Sequence, residues 1–128
     1  KRRARLDIDK VQAAGATFTL GALREAFTVA GVLSRSGTTG SGGPKVDTIV
    51  LLSDGAPTDS KIQNAKLMDP DVILNAVRDW NKNACIVIHT IAVDVDDNYF
   101  LRTLALQSGG KFVERNYTKK PKNKNKKK

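Results

Sequence analysis

Two aspartates, Asp54 and Asp94, directly follow short apolar runs and are the first candidates for chemistry in this sequence. The runs, VDTIVLLS at 46–53 and ACIVIHTIAV at 84–93, are rich in β-branched residues and predict strands covered on both faces. Ligands of open parallel sheets bind beyond the carboxyl ends of the strands. We therefore expect both aspartates at the functional edge, with Asp94 more typical of a structural strand end than of a ligand.

Three other constellations do not support catalysis. Cys85 and His89 lie four residues apart in a predicted strand, which separates them by about 13 Å and prevents a nucleophile–base contact. We expect Cys85 to be a small buried side chain and His89 a core or interface residue. The glycine-rich GTTGSGGPK at 37–45 precedes a strand and lacks the Gly-Lys-Ser/Thr ending of a phosphate loop. Asp54 has no evident acidic and basic partners for phosphoryl transfer, so we expect no enzyme activity.

The elements that would position the aspartates alternate between helix and strand. Apolar residues recur at helical spacing in three segments, and a short alternating strand, KFVER, ends the series. The first helix is predicted at about 19–32, the second begins at Asp69-Pro70-Asp71, and the third spans about 97–108. The last strand is predicted at 111–115. We expect Thr19 to cap the first helix and Gly109 to end the third in a left-handed conformation. This order predicts an α/β fold with a parallel sheet of about three strands and flanking helices, a partial doubly wound architecture.

Three segments resemble the von Willebrand factor A (vWA) domain family. ATFTLGALREAF at 16–27 is similar to its threonine loop and helix, and TIVLLSDGAPTD at 48–59 to the strand that ends in its aspartate motif. HTIAVD followed by FLRTLALQSGGKFV is similar to its last two strands and the helix between them. The resemblance implies a partial, Rossmann-like vWA domain at 15–117, with a basic remnant at 1–14 and a disordered lysine-rich tail at 118–128.

The same resemblance implies a metal-ion-dependent adhesion site for Mg²⁺ or Mn²⁺. By position in the motifs, Thr17 would be the second-loop ligand and Asp54 the third-loop carboxylate. The family's Asp-x-Ser-x-Ser motif is absent from this sequence. Because such cations prefer about six oxygen ligands, we expect weak or no metal binding by this chain alone. A turn-forming Asp-Gly at Asp54 and a local loop hydroxyl at Thr17 are the alternatives.

The implied function is a non-catalytic protein-interaction or adhesion module. In a complete domain, the cation keeps an open position for a carboxylate of the protein partner. The ligand face would be formed by Thr17, by Asp54 and the following Gly55, Thr58 and Asp59, and by Asp94. In the family's sheet, the Asp54 strand neighbours the absent first strand, so its exposed edge invites pairing with another chain.

Charge is concentrated at the two ends of the sequence. The formal net charge is +9, but residues 6–118 contain 11 basic and 13 acidic residues. The first five residues contain four basic side chains, and the tail contains seven lysines: Lys119, Lys120, Lys122, Lys124, Lys126, Lys127 and Lys128. The tail either increases the solubility of the protein or contacts polyanions, acidic surfaces or anionic membranes. The second possibility gives an alternative, metal-independent function. No apolar stretch approaches the length of a membrane span.

Overall fold

Helices and strands alternate along the chain. The computed structural model describes residues 16–36, 43–54, 56–60, 64–95 and 97–117. The elements, in chain order, are α1 (Thr19–Val29), β1 (Thr48–Ser53), α2 (Pro70–Asn81), β2 (Val87–Val93), α3 (Tyr99–Gln107) and β3 (Phe112–Arg115). The predicted order is confirmed, and most elements are a few residues shorter than predicted. Among the described helices, none has both the length and the apolar character needed to cross a bilayer.

The three strands form one small parallel sheet in the order β1-β2-β3. Leu51 of β1 pairs with Thr90 of β2, and Thr90 pairs with Phe112 of β3. The chain is therefore a mixed α/β fold, as the alternation predicted. Because parallel strands run in one direction, the segments that follow β1 and β2 leave the sheet at the same edge.

One face of the sheet carries the hydrophobic core. In β2, Ile88, Thr90 and Ala92 are fully buried and alternate with partly buried neighbours. The strand residues that pack against the core cluster, such as Ile49 and Leu51, are in register with this buried row. The same cluster contains side chains from all three helices: Leu23, Phe27, Ile73, Leu74, Val77, Phe100, Leu101 and Leu104. All three described helices therefore cover one face.

The opposite face, which we call the open face, carries the remaining strand residues: Thr48, Val50, Leu52, Val87, His89, Ile91, Val93, Val113 and Arg115. Val50 and Leu52 are 62% and 64% exposed, although both are large and apolar. The prediction that β1 is covered on both faces is therefore wrong for the described chain. Its run of apolar residues is the same as that of a doubly covered strand, but the described helices all pack on the other side.

The two edge strands of the described sheet differ in charge. β1, TIVLLS, contains neither a charged residue nor a proline, whereas β3, FVER, ends in Glu114 and Arg115. Within the described ranges, β1 pairs with β2 alone. Charged side chains are a common protection of edge strands, and β1 lacks them. Association through this edge stays a prediction.

The start of β2 differs from the prediction. Asn81, the last residue of α2, donates from its side-chain amide to the carbonyl of Ile86 and accepts from the N–H of the same residue, both at 2.7 Å. The chain turns between these residues, and Cys85 has a left-handed φ of 53°. The prediction that Cys85 is buried in a strand is therefore wrong, because its side chain is exposed in this turn. β2 begins at Val87 instead.

Helix ends confirm two local predictions and correct one. The Asp69 side chain accepts the N–H of Asp71 at 2.9 Å and caps α2, with Pro70 at the first helical position. Gly109 follows α3 with φ 74°, the expected left-handed conformation. In α1, Phe18 occupies the N-cap position without a side-chain hydrogen bond, and Thr19 is the first helical residue. Thr19 is therefore not the cap that we predicted.

Candidate functional site

The carboxyl edge of the sheet brings together the segments that hold the predicted site residues. Asp54 directly follows β1 and is exposed, and Asp94 directly follows β2. Ser53 and Ala92, near the ends of the two strands, are partners in the parallel register. Both aspartates therefore lie at this edge, beside the loops that lead into α2 and α3.

A backbone hydrogen bond joins the Thr17 segment to the loop that follows Asp54. The N–H of Thr58 donates to the carbonyl oxygen of Thr17 at 2.9 Å. The N–H of Thr19, at the start of α1, donates to the same oxygen at 2.9 Å. Thr58 is nearly fully buried and Thr17 is half-buried. The contact holds the start of α1 against the loop after β1, so two segments that are distant in sequence lie side by side.

Thr58 and Asp59, predicted as part of the ligand face, use their polar groups to shape their own loop. The Thr58 hydroxyl donates to the carbonyl of Ser60 at 3.1 Å. Asp59 accepts the N–H of Lys66 through its side chain at 3.1 Å, and its own N–H donates to the Lys66 carbonyl at 2.9 Å. An isolated antiparallel bridge between Thr58 and Leu67 continues this pairing. Gly55, the remaining predicted residue of this loop, lies outside the described residues.

Asp94 makes the contacts of a structural residue. Its Oδ1 accepts the N–H of Tyr117 at 2.6 Å, and its own N–H donates to the carbonyl of Arg115 at 2.8 Å. Its φ of 51° is left-handed, a conformation that aspartate adopts more readily than most residues. Asp94 therefore ties the end of β2 to the segment that follows β3.

The sequence analysis missed a contact between the two helices at the same edge. The Tyr99 hydroxyl, at the start of α3, donates to Oδ1 of Asp71, at the start of α2, at 3.4 Å. The side chain of Asp97 accepts the N–H of Tyr99 at 2.9 Å. Asp71 was identifiable as a carboxylate near a helix N-terminus, but nothing in the sequence marks Tyr99. These contacts add acidic side chains to the edge that Asp54 occupies.

The donors in the described part of this edge do not suffice for the cation that the resemblance implies. Thr17 contributes one hydroxyl and Asp54 one carboxylate, whereas Mg²⁺ and Mn²⁺ favour about six oxygen ligands. Within the described ranges, no three or more His, Cys, Asp or Glu side chains are grouped so that they would hold a metal. The described residues therefore do not fit the ion by themselves, and no chemical step is assigned to it.

Comparison with known proteins identifies no relative of this chain. No family model, no curated protein and no solved structure matches it. The fold class therefore rests on the three-stranded parallel sheet and its helices. The vWA resemblance rests on the quoted sequence segments.

Proposed function

We propose that the chain is a non-catalytic protein-interaction module of the vWA type, with its partner bound at the carboxyl edge of the sheet. The observation that carries this proposal is the 2.9 Å hydrogen bond from the Thr58 N–H to the Thr17 carbonyl. It joins the two loops that the resemblance assigns to the ligand face. Asp54, exposed at the end of β1, is the side chain on which we expect binding to depend.

The local structure supports a binding edge rather than a catalytic one. The loop after β1 is held by the contacts of Thr58 and Asp59, so the partner meets a preorganised surface, and preorganisation reduces the entropy cost of binding. Asp54, Asp71 and Asp97 are exposed at this edge, which favours a basic group of the partner. In the complete site that the resemblance implies, a divalent cation would connect Asp54 to a carboxylate of the partner.

Calorimetry with Mg²⁺ and Mn²⁺ tests the proposal. The 128-residue chain and a form extended by any residues that precede Lys1 in the gene product are titrated in parallel. We expect weak binding by the chain and tighter binding by the extended form. In the extended form, Asp54→Asn should lower cation affinity by about tenfold or more, as for other groups that bind a metal through water.

Asp47→Asn is the matched control, because Asp47 is an exposed carboxylate at the other end of β1. It should leave cation affinity unchanged. If the extended form binds no cation, or if both substitutions have the same effect, the proposed site at Asp54 is wrong.

A second candidate function is favoured by the position of the charge. Seven of the last ten residues are lysines, while residues 6–118 are slightly acidic. Lysine side chains neutralise phosphates without sequence preference, and the affinity falls as salt is raised. In this alternative, the chain acts without a metal and contacts polyanions or acidic surfaces through the tail, which lies outside the described residues.

Replacing the seven tail lysines with glutamine tests this alternative at constant chain length. For a single-stranded DNA oligonucleotide, log K should fall with log salt with a slope of about −0.7 for each phosphate contact. We expect the substituted chain to bind more weakly at low salt and to show a flatter slope. Unchanged affinity and slope, measured by fluorescence anisotropy, would exclude the tail as the contact.

A further inference from the structure

The open face is a feature of the structure that the proposed function does not use. Parallel sheets are normally covered on both faces, because their strands carry apolar side chains in both directions. Here Val50 and Leu52 are more than 60% exposed, and Ile91, Val93 and Val113 beside them are partly buried. Burial of this apolar surface is favourable by about 25 cal/mol per Å². The open face is therefore a surface that gains stability when it is covered.

Its dimensions match one helix. Three strands spaced about 4.8 Å apart make a face roughly 15 Å wide. β1 and β2, with six and seven residues of about 3.3 Å each, make it roughly 20 Å long, whereas β3 has four residues. An α-helix is about 10 Å across and reaches 20 Å with about 13 residues. One helix of that length covers the row formed by Val50, Leu52, Ile91 and Val93.

The basic charges of this face lie along β3, whereas the carboxylate of Asp54, two residues after Leu52, lines a cavity with Leu52 and Val93 at the end of β1. Arg115 of β3 is exposed and is in register with Val93, and Lys111, just before β3, continues the same alternation. Glu114 pairs with Ala92 and therefore belongs to the opposite face. The residues of β1 and β2 include no carboxylate. The open face thus has an aliphatic area on β1 and β2, a basic rim along β3, and the Asp54 carboxylate at the end of β1 on the side away from that rim.

The basic rim selects among the polypeptides that could cover the face. The terminal segments of this chain are strongly basic as well. Like charges disfavour a basic segment beside the rim, whereas carboxylates on one flank of a covering helix would complement it.

We propose that the open face is a docking site for an amphipathic helix of another protein. The helix has an aliphatic stripe that packs on Val50, Leu52 and Ile91, and carboxylates on one flank that face Lys111 and Arg115. This mode of recognition places apolar residues at i, i+3, i+4 and i+7 of the helix against the protein. The proposal does not depend on cation binding at the carboxyl edge, and its test uses no divalent cation.

Two synthetic 15-residue helical peptides test the proposal against the whole 128-residue chain. Both carry leucines at i, i+3, i+4 and i+7; one has glutamates along a flank and the other has lysines at the same positions. Fluorescence anisotropy at low salt should give about threefold or more tighter binding of the acidic peptide, and the difference should shrink as salt is raised. Arg115→Glu should remove or reverse the preference.

Leu52→Asp should weaken binding of the acidic peptide by about tenfold, because it places a carboxylate in the apolar area. Leu106→Asp is the matched control: Leu106 is 69% exposed on α3, on the helical side of the molecule, and its substitution should leave affinity unchanged. Circular dichroism checks the folding of each variant, and Val50→Ser replaces Leu52→Asp if that variant does not fold.

Three results would overturn the proposal. The first is equal binding of the two peptides by the unaltered chain. The second is binding that the substitutions at Leu52 and Val50 leave unchanged. The third is a dimer in sedimentation experiments that Leu52→Asp converts to a monomer, because the face would then be covered by a second copy.

Discussion

Gly110→Ala should lower the free energy of unfolding by about 3 kcal/mol or more, at the upper end of the range for overpacked sites. A Cβ at position 110 would overlap the carbonyl oxygen of Ile88, which belongs to the backbone of the central strand β2. Backbone atoms cannot move aside as the end of a flexible side chain does. The N–H of Gly110 also donates to the carbonyl of Ala105 at 2.8 Å, so the segment is held from the other side by α3.

Gly109→Ala provides the matched control one residue earlier. A Cβ at Gly109 would meet no atom within 4 Å, but the residue has a φ of 74°. The cost should therefore be conformational alone, about 1–2 kcal/mol. Urea denaturation of both variants separates steric overlap from backbone strain. If Gly110→Ala costs no more than Gly109→Ala, the segment between α3 and β3 does not pack against β2 as described.

Phe27→Ala should be at least as damaging. Phe27 is fully buried in the core cluster, and its ring lies 5.7 Å from that of Trp80, so α1 is attached to α2 through an aromatic pair. Truncation of a buried phenylalanine costs about 3–5 kcal/mol. Because small domains are stable by about 5–15 kcal/mol, we expect a large loss of thermal stability and a measurable unfolded fraction at room temperature.

The sequence contains one tryptophan, so the fluorescence of Trp80 reports directly on this contact. Phe27→Ala should change the emission spectrum and the unfolding midpoint together. Val29→Ala, in the same helix but at a position that is 69% exposed, should change the free energy of unfolding by no more than about 0.5 kcal/mol. Similar effects of the two substitutions would show that α1 is not docked on α2.

The parts of the fold that were predictable from the sequence depend on local interactions. The order of helices and strands follows from the spacing of apolar residues, and the start of α2 follows from Asp69 and Pro70. The exposure of Val50 and Leu52 was not predictable, because it depends on which face the helices occupy. The exposed turn at Cys85 was missed because the hydrogen bonds of Asn81 override a local preference for strand.

The candidate site also has features that were predictable from local sequence patterns and features that were not. The positions of Asp54 and Asp94 at one edge follow from the strands that they terminate. The contact between Thr17 and Thr58 joins residues that are 41 positions apart, so no local pattern indicates it. The use of the Asp59 side chain by Lys66, and the contact between Tyr99 and Asp71, likewise depend on loop closure and on helix packing.

The register between β1 and β2 has a consequence for synthesis of the chain in the cell. Thr48 pairs with Val87, so the ribosome must add 39 residues before β1 can meet its neighbour. At about 5–20 residues per second, this takes roughly 2–8 s. Throughout that interval the uncharged segment TIVLLS lacks β2, its neighbour in the described sheet, which makes it a natural target for chaperones that bind nascent polypeptides.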